Sequence, residues 1–297
     1  MTAIGFIGFG EAARAIADGW AAAGIATTRA AFDIKTLQDD TAEAITEACD
    51  ERGVFCAPSS AALLQRSDIV FSLVTADNAF SAAETAAAHI RPGTLYLDGN
   101  SCSPETKRRN AALIDSAGAR YVDVAIMSPI HPKRHETPCL VSGPHATQGA
   151  EAMAGLGMMA TVTGPEIGDA SSVKMIRSVM IKGTEALMAE CFLAAEKAGV
   201  SAEVLASLSA SDPQIDWSRK AAYCLERMMV HGTRRAAEMR EVAATVSDLG
   251  LEPRMSAATV AWQAEIGALG LQTARDDDIA DRVGLILSAR GKARGED

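Results

Sequence analysis

The stretch IGFIGFGEAARAIADGW, residues Ile4 to Trp20, decides the fold of this chain. A short apolar run ends at Gly8 and Gly10, and apolar residues at helical spacing follow at once. A strand that passes through a glycine turn into a helix is the start of a βαβ unit. The segment RAAFDI, residues 29–34, predicts the second strand, so a complete unit is expected at the N-terminus.

The turn itself has a pattern with a physical purpose. Gly8, Gly10 and Ala13 match G-x-G-x-x-A, in which the first glycine permits the tight turn and the second lets a pyrophosphate approach the backbone. The alanine lets helix and strand pack closely, and the free N–H groups of the helix face the phosphates. A glycine turn without a ligand is the alternative. The pattern predicts a dinucleotide site formed by Gly8, Phe9, Gly10, Glu11 and Ala12.

An acidic residue ends the second strand. Asp33 lies twenty residues after Ala13, where a carboxylate hydrogen-bonds the ribose hydroxyls of the adenosine half. The same charge repels a 2′-phosphate by a few kcal/mol at most, at ~4 Å and an effective dielectric of ~20. The spacing therefore favours NAD, although Lys35 reduces the repulsion and leaves NADP open. The alternative is that Asp33 is an ordinary turn residue.

Strand and helix patterns alternate through the first half of the chain and then stop. The run DIVFSLVT, residues 68–75, is apolar almost throughout, as expected of a strand buried on both faces of a parallel sheet. Beyond TGPEIG, residues 163–168, long helical periodicities replace the strands. The patterns predict an α/β Rossmann domain over 1–165 and an all-α C-terminal domain over 166–297. Helices are expected at residues 201–209, 214–230, 232–249, 255–268 and 278–290.

Composition excludes several classes of protein. Apolar residues make up 48% of the 297 residues and aromatic residues only 4%, which suits a helix-rich enzyme of two domains. The net charge of −10 argues against nucleic acid as a partner. No apolar run reaches the ~20 residues of a membrane span. The six cysteines form no Cys-x-x-Cys pair, so reduced thiols in the cytoplasm and no metal site are expected.

Four stretches resemble one family. IGFIGFG, YLDGNSCSPET and GDASSVKMIRSVM are similar to the opening, the segment after the fifth strand and the interdomain helix of the β-hydroxyacid dehydrogenases. That family includes 3-hydroxyisobutyrate and 6-phosphogluconate dehydrogenases. HGTRRAAEMREVAATVSDLGLEPRM resembles the uncharacterised C-terminal domain of a bacterial branch. The resemblance implies a homodimeric NAD(P)-dependent oxidoreductase that acts on a small 3-hydroxyacid, with Lys174 in the place of the catalytic lysine.

The chain departs from the family pattern at the substrate side. Ser178 stands where the family has asparagine, one turn beyond the lysine, and Ala170 replaces a glycine. In DVAIMSPIHP the family's serine position holds Met127, and Ser128 comes one residue late. The substrate pocket is therefore expected to differ from that of a standard member.

The lysine helix also indicates chemistry without the resemblance. Lys174, Ser178 and Lys182 recur at i, i+4 and i+8, which places them on one face of the helix. Near a helix N-terminus the macrodipole lowers the pKa of an ammonium group, as burial does. A lysine so tuned takes a hydroxyl proton while hydride leaves the carbon for the nicotinamide. The alternative is a solvated helix face, and Lys182 is expected to pair with Glu185.

The remaining candidates are placed by the ends of predicted strands. Val74 and Thr75 end one strand and Asn100 follows the next, where open α/β sheets bind ligands, so Asn100 is expected to contact the nicotinamide ribose or the substrate. Ser128 either binds a substrate carboxylate or is a turn serine before a proline. The candidate anchors for an anionic substrate are His131, Arg134, His231, Arg234 and Arg235, with the HGTRR run foremost.

Two other classes of protein stay open. Pyrroline-5-carboxylate and imine reductases share the glycine-rich opening and a helical second domain but do not need a lysine in this place. A cofactor-binding sensor without catalysis is the second alternative. Apolar residues at helical spacing in the C-terminal half predict a homodimer through its helices, because one Rossmann domain cannot cover them all. The first of these stripes comprises Val173, Ile176, Met180, Gly183 and Leu187.

Overall fold

The computed structural model of the chain describes residues 2–274 and 276–294. The chain forms two compact units, Met1–Met175 and Ile176–Asp297. The division falls inside one long helix, so the first turns of that helix, with Lys174, belong to the N-terminal unit. The sequence places the border about ten residues earlier, in the loop at residues 163–168.

The N-terminal unit is one eight-stranded sheet with helices between its strands. The sheet order is β3-β2-β1-β4-β5-β6-β7-β8. The strands are β1 Ala3–Ile7, β2 Thr28–Phe32, β3 Phe55–Cys56, β4 Ile69–Ser72, β5 Leu95–Asp98, β6 Arg120–Ile126, β7 Cys139–Ser142 and β8 Ala160–Gly164. The α-helices of this part of the chain are α1 Glu11–Ala22, α2 Ala42–Asp50, α3 Ser60–Leu64, α4 Ala79–Ala87, α5 Pro104–Ser116 and α6 Ala146–Gly155. The predicted Rossmann architecture is confirmed.

The far side of the sheet differs from the prediction. β7 pairs antiparallel with β6, whereas a parallel sheet was expected. The described connection between them, residues 127–138, carries one short turn of 3-10 helix, whereas a parallel connection usually runs through an α-helix. β8 was not expected at all, because residues 161–163 are exposed and give it no apolar run.

An aromatic cluster fixes the helix that follows the glycine turn. The rings of Phe6 on β1, Trp20 on α1 and Phe71 on β4 are buried with centroid separations of 5.7 to 5.8 Å. Each ring of this size removes about 150–250 Å² of surface from water, which is worth several kcal/mol in total. The cluster therefore packs the last turn of α1 against β1 and β4.

The remaining helices follow the strands. They are α7 Asp169–Ala198, α8 Ser201–Ser211, α9 Trp217–Asp248, α10 Arg254–Ala268 and α11 Ile279–Arg294. The all-α C-terminal region is confirmed. Among the described residues, none of the helices is long and apolar enough to cross a membrane.

One predicted helix boundary is wrong. The break expected at residue 231 does not exist, since α9 runs unbroken for 32 residues. Gly232, the residue after the expected break, lies where α9 meets α10. A Cβ at Gly232 would stand 2.5 Å from the carbonyl oxygen of Gln263 and 2.7 Å from Cα of Gly267. The glycine permits close packing of two helices and does not end either.

Candidate active site

The glycine turn joins β1 to α1 at the middle of the sheet. Gly8 has φ +85°, and a Cβ there would lie 2.6 Å from the carbonyl oxygen of Leu73, so only glycine fits. Gly10 is exposed and caps α1, and a Cβ at Gly10 would meet no protein atom within 4 Å. The protein thus leaves open space over Gly10 at a helix N-terminus. Glu11 is exposed and Ala12 half-buried on the first turn of α1.

Asp33 lies beside this turn, as its spacing predicts. Its Oδ2 accepts a hydrogen bond from the N–H of Phe9 at 2.8 Å, and its Oδ1 accepts one from the N–H of Lys35 at 3.0 Å. Each carboxylate oxygen keeps acceptor capacity for another donor. Ile34, the next residue, is 64% exposed and carries no charge that would bind a 2′-phosphate.

The ends of β4 and β5 are joined by Asn100. Its Oδ1 accepts from the N–H of Val74 at 2.7 Å, and its Nδ2 donates to Oγ of Ser72 at 3.0 Å. Asn100 is 3% exposed, so its side chain holds the two strand ends together. Thr75 is exposed and Val74 half-buried on this edge. The contact of Asn100 with a nicotinamide ribose or substrate stays a prediction.

Lys174 contacts a residue that the sequence did not single out. Its Nζ donates to Oγ of Ser101 at 2.6 Å, and Ser101 follows Asn100 directly after β5. Burial raises the pKa of the neighbouring Cys139 thiol to about 11, although the positive charge of Lys174 acts in the opposite direction. Lys174 thus lies beside a hydroxyl and a thiol that keeps its proton at neutral pH. The Asn-Ser pair after a strand was the only sequence signal for Ser101.

A second lysine is buried deeper in the same unit. Nζ of Lys107, on α5, lies 3.1 Å from Oδ1 of Asp98 and 3.3 Å from Oδ1 of Asp123, and all three side chains are fully buried. Burial favours the neutral amine, but the two carboxylates outweigh it and raise the pKa of Lys107. Tyr121 donates to Asp98 at 2.7 Å, and burial together with Asp98 raises the pKa of its phenol. Lys107 is therefore a permanent cation and unsuited to accept a proton.

The helical unit has its own buried charges. Nζ of Lys182 lies 2.8 Å from Oε2 of Glu238, so the expected pairing of Lys182 with Glu185 is wrong. Glu185 instead binds Arg235 and accepts from Nε2 of Gln263 at 2.8 Å. Lys182 pairs with Glu238 and not with Glu185, three residues along the same helix, because α9 brings Glu238 alongside α7.

These pairs also locate the predicted anion anchors. Arg235 is 8% exposed and held by its ion pair inside the helical unit. Arg234 is exposed and pairs with Glu238 at 2.8 Å, and His231 is half-buried one turn earlier on α9. Ser178, buried on α7, accepts from Nζ of Lys182 at 3.5 Å. A role for His231, Arg234 or Ser178 toward a substrate stays a prediction.

The remaining candidates lie in the loop between β6 and β7. Ser128 is exposed, and its hydroxyl donates to the carbonyl of Pro129 at 3.4 Å. His131 and Arg134 are exposed in the same loop, and Arg134 has φ +54°. Role assignments for Ser128, His131 and Arg134 stay predictions.

The geometry defines a class of protein. Open space over Gly10, free N–H groups at the start of α1 and a carboxylate at the end of β2 fit a dinucleotide at the sheet's central crevice. The cofactor is a nicotinamide dinucleotide of the NAD(P) kind, because residues 3–163 match a known NAD-binding domain.

The chain belongs to the family of the NAD-binding domain of 6-phosphogluconate dehydrogenase, which it matches over residues 3–163. Residues 195–266 match a domain of unknown function, DUF1932. A conserved hypothetical protein from Sinorhizobium meliloti is 36% identical, with 97% of each chain covered and a TM-score of 0.74. The predicted family resemblance is confirmed.

Two solved enzymes share the fold at lower identity. The 3-hydroxyisobutyrate dehydrogenase of Mycobacterium tuberculosis is 18% identical, with 98% of this chain and 99% of that chain covered and a TM-score of 0.70. An imine reductase of Aspergillus terreus is 19% identical, with 99% and 95% covered and a TM-score of 0.57. At such identities the likeness concerns the fold alone.

Proposed function

We propose that the protein is an NAD-dependent dehydrogenase of a small 3-hydroxyacid-type substrate, with Lys174 as general acid and base. The observation that carries the proposal is the 2.6 Å hydrogen bond between Nζ of Lys174 and Oγ of Ser101, directly after β5. A lysine on a helix and a hydroxyl at the carboxyl edge of the sheet converge where open α/β sheets bind ligands. Proton transfer by a positioned side chain needs this convergence.

The residues of the chain divide the work in hydride transfer. A bound nicotinamide would supply the hydride acceptor in the oxidation and the hydride donor in the reduction. Lys174 would take the proton of the substrate hydroxyl as hydride leaves the carbon that bears this hydroxyl. Ser101 can accept a hydrogen bond from the ammonium form of Lys174 and donate one to its amine form. The serine therefore holds Lys174 in place through both halves of the cycle.

NAD is the preferred cofactor in this proposal. The support is Asp33, whose carboxylate stands beside the glycine turn, together with the uncharged, exposed Ile34 after it. A 2′-phosphate beside Asp33 would meet the negative charge of its carboxylate.

A homodimer is the proposed assembly. The apolar stripe on α7 is open to solvent within the single chain: Ile176 is 50%, Met180 70% and Leu187 55% exposed. Apolar residues aligned on one helix face favour burial against a second copy of the same surface.

The experiment is a turnover assay with NAD and NADP against 3-hydroxyacids, amino alcohols and, in the reductive direction, cyclic imines. The proposal expects cofactor reduction with at least one hydroxyacid and no imine reduction. Imine reduction without alcohol oxidation would replace the proposal by a reductase. Cofactor binding by calorimetry with no turnover on any class would favour a sensor.

A further inference from the structure

The buried Lys107 cluster takes no part in the proposed chemistry, yet it binds Ser171, three residues before Lys174, and Asn100, the residue before Ser101. Asp98 and Asp123 are opposite each other on the parallel strands β5 and β6. Two buried carboxylates at adjacent positions repel each other strongly. The ammonium of Lys107, which also donates to the carbonyl oxygen of Asp98 at 2.6 Å, lies between them and offsets this repulsion.

From Asp123 the cluster reaches the helix that carries Lys174. Oδ2 of Asp123 accepts from the N–H of Ser171 at 3.0 Å and from its Oγ at 2.9 Å. Ser142 on β7 accepts from the N–H of Ala170 at 3.0 Å and donates to the same carboxylate oxygen at 3.3 Å. The first N–H groups of α7 thus have fixed partners, and a carboxylate lies at its positive end. Ser171 is three residues before Lys174, on the neighbouring turn.

From Asp98 the cluster reaches Asn100, the residue directly before Ser101. Oδ1 of Asp98 accepts from the N–H of Asn100 at 3.0 Å, which shapes the turn after β5. Oδ2 of Asp98 accepts from Nδ2 of Asn110 at 3.0 Å and from the hydroxyl of Tyr121. Every oxygen of Asp98 has a donor, so the carboxylate cannot swing away without leaving buried donors unpaired.

We propose that Asp123 is a positioning residue for Lys174. Asp123 fixes the first turn of α7 through Ser171, and Lys107 holds Asp123 next to Asp98, the last residue of β5 before the loop that contains Ser101. An effect of Asp123 on turnover rests on the proposed function of Lys174. The effect of Asp123 on the position of Lys174 does not, since it concerns contacts within the chain alone.

A merely stabilising cluster predicts a different behaviour from a positioning one. Stabilising contacts lower the melting temperature when removed but do not change the environment of Lys174 in the folded protein. Removal of a positioning contact changes the reactivity of Lys174, and it does so only while Ser101 is present to accept the hydrogen bond from Lys174. Residues that act through one network are non-additive in a double-mutant cycle.

The test measures acetylation of Lys174 by acetic anhydride across a pH series in the full-length protein. Mass spectrometry gives the rate relative to Lys197, an exposed lysine on the same helix. The variants are Ser171→Ala, Ser101→Ala and their combination, with Ser172→Ala as the matched control. Ser171→Ala keeps the backbone bond to Asp123 and is expected to fold. Asp123→Asn removes the negative charge but retains an acceptor for Ser171, so it tests the role of Asp123 directly.

The proposal expects Ser171→Ala and Asp123→Asn to change the Lys174 rate or its pH midpoint by roughly two-fold or more, the lower end of coupling within one network. Neither change should persist in the Ser101→Ala background, and Ser172→Ala should have no effect. An unchanged rate in folded Ser171→Ala, or the same change with and without Ser101, overturns the proposal. Normal turnover by Lys174→Met would reject the proposed function and leave this labelling result intact.

Discussion

Single residues at the glycine turn were predictable because their requirements are local. Gly8 needs a positive φ, and Asp33 stands at a fixed distance along the chain from the turn, so spacing alone finds both. Ser101 was missed because its partner Lys174 is 73 residues away in the sequence. No local pattern encodes such a contact, and the buried Lys107 cluster was missed for the same reason.

The proposed preference for NAD can be tested at Asp33. Asp33→Asn keeps an acceptor for the N–H of Phe9 but removes the charge. Because two charges at ~4 Å repel by a few kcal/mol at an effective dielectric of ~20, kcat/KM for NADP relative to NAD should rise roughly ten- to hundred-fold. Asp40→Asn, an exposed carboxylate in the following segment, is the control and should leave the ratio unchanged. A wild-type preference for NADP would refute the assignment.

At the scale of elements, the periodicity of the sequence predicted the helices and most of the strands. It did not predict the antiparallel direction of β7 or the unbroken length of α9. The antiparallel direction of β7 goes with a connection that carries a 3-10 turn in place of a crossover α-helix, and the exposed edge strand β8 has no apolar signature. The helix break expected at residue 231 was wrong, and Gly232 beside it is needed for a contact with α10. Gln263 and Gly267, which approach its backbone, are 31 to 35 residues further along the chain, so local spacing does not show this contact.

Substitution by alanine should have opposite effects on stability at two helical glycines, one at the contact of α9 with α10 and one on the open face of α11. Gly232→Ala should lower the free energy of unfolding by about 1–3 kcal/mol, since a Cβ would force the two backbones apart. Gly284→Ala on α11 meets no atom within 4 Å and should raise it by roughly 0.5–1 kcal/mol through helix propensity. Urea denaturation of both variants measures the difference. Equal effects would show that the close approach is not tight.

For the whole molecule, the division into a Rossmann unit and a helical unit was predictable from the point where the strand patterns stop. The sequence places the border at residues 163–168, and α7 runs from the first compact unit into the second without a break. The exposed apolar stripe on the same helix is the surface through which the proposed homodimer would form.

Sedimentation should find a dimer of about 62 kDa at micromolar concentration, twice the chain mass of 31.0 kDa. Met180→Lys places a charge in the centre of the stripe and should shift the protein toward monomer, since a buried unpaired charge costs several kcal/mol. Met159→Lys, at an exposed methionine of the N-terminal unit, should remain dimeric. A wild-type monomer, or equal dissociation of both variants, contradicts the assignment.

The general base is the central claim, and Lys174→Met tests it most directly. Methionine has a similar length and good helix propensity, so the fold should persist. With the hydroxyacid identified in the turnover assay, kcat should fall by roughly 10²–10⁴-fold, the usual contribution of a positioned proton acceptor. The Kd for NAD should stay within a few-fold, and Lys197→Met should match the wild type in both values. Near-normal kcat in Lys174→Met, with the same substrate, would contradict the account.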